Sequence, residues 1–336
     1  MTVVGPFGLS VRDQALEADV QAGLAAVEEG LLEATKSEVP FITEAAQHLV
    51  RAGGKRFRPL LVMLTAQFGD RYAPGVVPSA VVVELTHLAT LYHDDVMDEA
   101  EVRRGVDSAN TRWGNSVAVL TGDFLFARAS HILADLGPEA VRVQAEAFER
   151  LVTGQILETA GPQDGRDPVE HYLDVLSGKT GSLVAVSCRF GAMMSGADET
   201  VVDVLTQYGE RLGVAFQLAD DVLDIASDSH ESGKTPGTDL REGIPTLPVL
   251  RLRERAERLG LAEDIALCEL LDSDLSDDAR LAEALAQLRV HPALEQARRD
   301  TVRYAEDARA ALAPLPDIDA KAALMELCDA VVHRAG

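Results

Sequence analysis

The sequence predicts an all-α fold, on three observations. Apolar residues recur at helical spacing through almost the whole chain, with charges on the remaining faces. Aromatic residues make up only 4% of the chain while Ala, Leu and Val abound, which suits a helical interior better than an aromatic-rich sandwich of sheets. No stretch alternates with period two between hairpin signals, so strands have no support.

Taken in order, residues 11–36 carry apolar side chains at helical spacing. Pro40 opens a shorter helix that ends near Gly53-Gly54, and another follows Pro59 until the turn-rich stretch 69–75 stops it. Residues 77–98 are apolar nearly all round until the aspartates arrive, as expected of a helix in the middle of a bundle. Helical patterns recur at 115–135, 139–160, 169–195 and 198–227, separated by breaks rich in Gly and Pro at 161–168 and 232–245. Beyond Thr246 the texture stays helical but turns more acidic, with breaks at 273–278 and at Pro314–Pro316. Length alone suggests two domains. The even texture, without a long linker, argues instead for one all-α domain over 1–336, with its motifs in about 40–250 and a peripheral helical layer over about 250–336.

Charge narrows the partners. Lys and Arg number 31 against 55 Asp and Glu, a net charge of −24. Nucleic acid is excluded as a partner, because phosphate backbones need a basic face, and docking on an anionic membrane is disfavoured for the same reason. No uninterrupted apolar run is long enough to span a bilayer. The N-terminal stretch lacks the pattern of a secretory signal. Three widely separated cysteines (Cys188, Cys268, Cys328) suggest neither a metal site nor a disulfide framework, so a cytoplasmic setting is expected.

Two aspartate clusters carry the chemistry. The first is Asp94, Asp95 and Asp98; the second is Asp220, Asp221 and Asp224. Both read D-D-x-x-D, and both close a strongly apolar helix. At about 100° per residue the three carboxylates of each fall within an arc of roughly 100°, on one face and within one turn. Like charges so close raise one another's pKa unless a cation neutralises them. Oxygen ligands without Cys or His indicate Mg²⁺, which keeps waters and bridges to substrate phosphates. On two facing helices, the clusters would hold several Mg²⁺ ions between acidic walls, with a diphosphate as the natural third component.

Basic residues accompany both clusters. Lys55, Arg56 and Arg58 follow the Gly53-Gly54 turn, Arg103 and Arg104 follow the first cluster, and Lys234 follows the second in a Gly-rich loop. Lys179-Thr180-Gly181 interrupts another helix where small residues admit a ligand. Such cations hold phosphate oxygens beside Mg²⁺. Rotation adds two residues: His87 lies about 20° from Asp94, two turns below, and Gln217 falls inside the second carboxylate arc.

Five ordered stretches, GGKRFRP, LYHDDVMDEAEVRRG, GKTGSL, FQLADDVLDI and GKTPGTDLREGIPTLP, resemble the trans-isoprenyl diphosphate synthases, the polyprenyl synthetase family. The resemblance implies an isoprenoid-synthase-type helical bundle with a central active-site cavity, usually a homodimer. It implies head-to-tail condensation of isopentenyl diphosphate with an allylic diphosphate, with three Mg²⁺ per active site. By motif, Asp94, Asp98 and Asp220 would coordinate Mg²⁺, supported by Asp95, Asp221 and Asp224. Arg103, Lys179 and Lys234 would hold the allylic diphosphate, and Lys55, Arg58, His87 and Arg104 isopentenyl diphosphate. Thr180 and Gln217 would turn their oxygens to the developing allylic cation. Ala89 and Thr90, small residues five and four positions before Asp94, imply a deep product tunnel and a product of about C30–C50, although Tyr92, Phe124 and Phe126 complicate that path. A C15–C20 synthase is the alternative. A class I terpene cyclase, a head-to-head condenser or an inactive partner subunit fits less well, because both D-D-x-x-D clusters and the second set of cations are intact.

Overall fold

The computed structural model describes residues 2–4, 9–11, 14–227 and 236–335. Among them the chain is helical nearly throughout, in agreement with the spacing. Helix α1 is Gln14–Ala34, α2 Pro40–Arg51, α3 Phe57–Thr65 and α4 Val76–Met97. Pro40 stands in the first turn of α2, where its missing N–H costs nothing. Helix α5, Ala109–Trp113, is capped by the Ser108 hydroxyl, and α6 runs Asn115–Leu136. Helix α7 is Pro138–Ala160, α8 Pro168–Leu176, α9 Ser182–Met194 and α10 Glu199–Ala226. The Asp167 carboxylate accepts from the backbone N–H groups of Val169 and Glu170 to start α8. The rest comprises α11 Thr238–Arg241, α12 Leu247–Leu259, α13 Ala262–Leu271, α14 Asp278–Arg289, α15 Pro292–Ala311 and α16 Asp319–Ala335.

The absence of strands needs correcting. Two short antiparallel hairpins are present: β1 (Thr2–Val4) with β2 (Leu9–Val11), and β3 (Val102–Arg103) with β4 (Val106–Asp107). Strands of two or three residues are too short to show alternation. The turn of the second hairpin has positive φ at both Arg104 (54°) and Gly105 (76°), as a type I′ turn requires. Its first position carries Arg instead of the usual Asn or Asp, so the sequence signal is muted.

The chain divides into two compact units. One holds the described residues of Met1–Glu149, Ser182–Gly209 and Ala311–Glu326; the other holds those of Arg150–Gly181, Glu210–Ala310 and Leu327–Gly336. In the first, α4 packs against α1, α3, α9 and, most extensively, α6. Its buried residues run round the helix: Val81, Val82, Val83, Leu85, Leu88, Ala89 and Tyr92. Each buried leucine contributes roughly 1.5–3 kcal/mol of transfer free energy, so α4 is firmly fixed where its aspartates begin. In the second unit, α12 packs against α8 and α13, and α13 against α14. Arg289, in the last turn of α14, donates to the carbonyls of Ile225 (2.8 Å) and Ser227 (2.5 Å), capping the C-terminal end of α10 just beyond the second cluster.

Helix α6 is, among the described residues, the one helix long and apolar enough by length and composition to cross a bilayer, with a mean hydropathy of 1.3. Counting uninterrupted apolar residues overlooks it, because Asp123 and Arg128 break the run.

Candidate active site

In the first unit the sites are built on α4 and the β3–β4 hairpin. Asp94 is half-buried, Asp98 is exposed, and Asp95 is fully buried. Asp95 is held by Arg103, whose Nε stands 2.5 Å from Oδ1, and Arg103 also reaches Asp98 at 4.0 Å. Burial raises the Asp95 carboxyl above its usual range, and Arg103 opposes that rise. Its other oxygen, Oδ2, is closed off without a hydrogen-bond partner.

Two of the predicted phosphate-binding cations, Arg58 and Arg104, stand with Arg56 around Glu84, a buried carboxylate on α4 that sequence reasoning overlooked. Glu84 Oε1 stands 2.9 Å from Arg56 Nη1 and 3.7 Å from Arg104 Nη2. Arg56 also pairs with Glu28 and donates to the Val50 carbonyl, so it is structural. Arg104 donates to the carbonyls of Leu49 and Gly53. A methyl group on Gly54 would come within 2.8 Å of the Arg104 guanidinium, so this turn accepts no larger residue without displacing it. Arg58 differs: its Nε is buried with no hydrogen-bond partner, and burial lowers its guanidinium to about 10. Burial also holds His87 well below the usual imidazole range, and Arg58, Arg104, Arg56 and Arg103 add to that effect. His87 is thus a neutral group among guanidiniums. Lys55 is exposed.

Ala89 and Thr90 line a cavity of about 270 Å³ together with His93, Asp123, Phe126, Ala127 and Phe148. The Phe126 and Phe148 rings lie 4.2 Å apart. Tyr92 points elsewhere: its hydroxyl donates to the Ala45 carbonyl at 2.6 Å. Phe124 is not among the lining residues.

In the second unit, Asp220 and Asp224 are half-buried and Asp221 is buried. Burial pushes the Asp221 carboxyl well up, and the charges of Asp239, Asp224 and Glu158 push it further. Tyr172 donates its hydroxyl to Asp221 Oδ2, and the Gln217 amide nitrogen approaches Oδ1 at 3.3 Å. Asp224 receives the backbone N–H groups of Thr238 and Asp239, each at 3.3 Å. The Lys179–Thr180 stretch forms a π-helical segment, Ser177–Gly181, a distortion that often marks a functional site. It lies against α7 backbone to backbone, because Gly154 and Gly178 meet: a methyl on Gly154 would stand 2.6 Å from the Lys179 nitrogen. Lys179 then reaches Glu158, one turn along α7, at 2.7 Å. Thr180 and Gln217 are half-buried. Lys234 lies outside the described residues. Tyr172 and Glu158 were not foreseen from sequence; no local motif marks either.

The clusters thus share a pattern. In each, the second aspartate is turned inward and held by a protein donor, while its neighbours reach the surface. Among the described residues no three Asp, Glu, His or Cys side chains converge into a ready-made metal cage. Outward carboxylates of hard oxygen, with no soft ligand, suit Mg²⁺ that retains waters and takes phosphate oxygens from a substrate. Asp94 and Asp98 in the first unit, and Asp220 in the second, are residues whose carboxylates could hold such an ion.

The chain is similar to known proteins in both sequence and fold. The chain is 47% identical over 331 residues to nonaprenyl diphosphate synthase of Mycobacterium tuberculosis, which covers 98% of this chain and 97% of that protein. The crystal structure of geranylgeranyl pyrophosphate synthase from Corynebacterium glutamicum, complexed with calcium and isoprenyl diphosphate, superposes with a TM-score of 0.87 at 44% identity, covering 97% of this chain and 99% of that one. A decaprenyl diphosphate synthase from Rhodobacter capsulatus superposes at 0.86 with 36% identity, covering 96% and 99%. The family model for polyprenyl synthetase matches residues 39–288, and the chain belongs to that family.

Proposed function

We propose that this chain is an all-trans polyprenyl diphosphate synthase that condenses isopentenyl diphosphate head-to-tail with an allylic diphosphate. The observations that carry this reading are the presence of two D-D-x-x-D clusters in the chain and, in the first unit, a group of guanidiniums around Glu84 in which Arg58 has a buried, unsatisfied Nε. A cyclase would have no use for that second anion site.

Mg²⁺, when bound, neutralises the charge of the departing diphosphate. Arg103, Lys179 and Lys234 hold the allylic diphosphate, while Lys55, Arg58, His87 and Arg104 hold isopentenyl diphosphate. The oxygens of Thr180 and Gln217 face the carbon on which positive charge develops. As the allylic carbon–oxygen bond breaks, the isopentenyl double bond forms the new carbon–carbon bond. The resulting cation loses a proton to the departing diphosphate and an alkene is restored. Apolar helix faces exclude the water that would capture the cation.

The product is of medium to long chain, about C30–C50, because Ala89 and Thr90 leave the cavity below the first cluster open. The C15–C20 alternative is favoured by one observation, the Phe126–Phe148 pair on the wall of the same cavity. The whole chain works as one cytoplasmic synthase domain with three Mg²⁺ per active site. It forms a C2 homodimer through the outward face of α6, where Leu120 is 65% and Val119 39% exposed. Light scattering that gives the monomer mass of 36.0 kDa would reject the dimer.

Incubation with isopentenyl diphosphate, Mg²⁺ and separate C5, C10, C15 and C20 allylic primers tests the reading. Elongated, sizable products are expected after dephosphorylation. Diphosphate release without isopentenyl diphosphate would point to a cyclase, and no turnover would point to an inactive subunit.

A further inference from the structure

The β3–β4 hairpin carries two candidate substrate ligands, Arg103 and Arg104, on strands of only two residues. A hairpin that short has no stability of its own, so its anchors, together with the contacts of Arg103 to Asp95 and of Arg104 to Leu49 and Gly53, determine where those guanidiniums lie. The β4 residues Val106 and Asp107 line a cleft of about 530 Å³ together with Glu44, His48, Arg51 and Arg112, and Asp107 is exposed. The arm leading in is tied down by Ser108 and Asn110, both of which donate to the Ala100 carbonyl. The β4 arm is held from α2, where His48 Nε2 lies 2.7 Å from the Asp107 carbonyl oxygen.

The chemistry of the two contacts sets the state of the ring. A carbonyl only accepts, so Nε2 carries the proton. Arg112 Nη1, 3.3 Å from Nδ1, only donates, so Nδ1 is the acceptor. Arg112 is itself fixed, pairing with Glu44 and lying 4.3 Å over the Trp113 ring, and Trp113 meets the imidazole edge-on at 5.0 Å. The ring is therefore clamped on three sides, with its donor aimed at the hairpin.

We propose that His48 is a positioning residue for both diphosphates, acting through the hairpin that presents Arg103 and Arg104. This rests on the synthase reading above. Because one hairpin serves both ligands, loss of the anchor should weaken both substrates together, unlike loss of a single phosphate ligand.

The test compares His48→Leu, which fills the space without a donor, with His48→Gln, whose amide nitrogen can reach the same carbonyl. His48→Leu should raise KM for isopentenyl diphosphate and for the allylic primer by about tenfold each, with kcat changed less than about threefold. It should also weaken calorimetric binding of inorganic pyrophosphate with Mg²⁺. His48→Gln should restore both KM values to within about threefold of wild type. Arg112→Met, which keeps the stem over Trp113 but removes the donor to Nδ1, should raise both KM values in the same direction; this variant serves if His48→Leu does not fold. Unchanged KM values in His48→Leu, or equal impairment of the Leu and Gln variants, would overturn the positioning role. A wild-type chain without turnover would instead reject the synthase reading.

Discussion

Glu84 stands 2.9 Å from the Arg56 guanidinium with both side chains nearly shut off from solvent, 2% and 8% exposed, inside a helix otherwise walled by valine and leucine. A lone buried carboxylate on such a helix is costly unless it is paired. Here it is the common counter-charge of Arg56 and Arg104 and offsets the burial of Arg58.

Glu84→Gln should therefore leave three guanidiniums without their shared anion. Breaking a buried pair costs about 3–5 kcal/mol, which should appear as a lower urea midpoint. KM for isopentenyl diphosphate should rise with it, because Arg58 and Arg104 lose their placement. A variant with wild-type stability would show that Glu28 alone neutralises the cluster.

Asp94→Ala and Asp220→Ala should each lower kcat by roughly 10²–10⁵, the range for losing a charge-stabilising group at a transferring phosphate. Folding should survive, since removing one of several crowded carboxylates relieves repulsion. Near-normal turnover in Asp220→Ala would mean that the second cluster takes no part in the reaction.

How far the sequence could be read depended on whether a signal was local. Helix ends at Pro40, Gly53 and 161–168 were legible because Gly and Pro restrict the backbone directly. The aspartate clusters stood out in the sequence because three like charges within one turn of an apolar helix repel one another. Glu84 gave a fainter version of the same signal and was passed over. Within GGKRFRP nothing separates Arg56, consumed by Glu28 and Glu84, from Arg58, left unsatisfied: that difference is made by helices distant in sequence. Tyr172 on Asp221 is tertiary in the same way, and a two-residue hairpin has too few residues to show a period.

Lys55→Ala should mainly raise KM for isopentenyl diphosphate, and Lys179→Ala KM for the allylic substrate. Lys179 is anchored to Glu158 at 2.7 Å, so its ammonium has a defined position to lose. Initial rates measured with each substrate varied in turn decide the matter. Equal effects of both variants on both substrates would remove the division of the cations into two sites.

His87 supplies a pH signature. The folded protein keeps it neutral in a range where the unfolded chain takes up a proton, because burial and four guanidiniums hold its pKa well below the usual value. Below about pH 6.5 the unfolded state binds more protons, so stability falls as pH falls through that value; above it His87 adds no slope. His87→Gln should flatten the loss of stability between about pH 6.5 and 5 in urea unfolding. A slope equal to wild type would assign the acid sensitivity to other groups.

Ala89 is the position at which the proposed product length can be tested. It is buried, and it lines the cavity of about 270 Å³ together with Thr90, Phe126 and Phe148. A phenylalanine ring there would take up much of the volume open to a growing isoprenoid chain. Overpacking a cavity wall costs typically 1–3 kcal/mol, which a buried helix such as α4 can absorb without unfolding. The aspartates begin five positions further along α4, so the reacting centre should stay in place. Ala89→Phe is accordingly expected to keep turnover within about tenfold of wild type while shortening the product from about C30–C50 towards C15–C20. Chromatography of the dephosphorylated products of both enzymes, under one ratio of primer to isopentenyl diphosphate, measures the change. An unshifted product would place the growing chain outside this cavity, and a wild-type enzyme that already stops at C15 or C20 would identify Phe126 and Phe148 as the barrier.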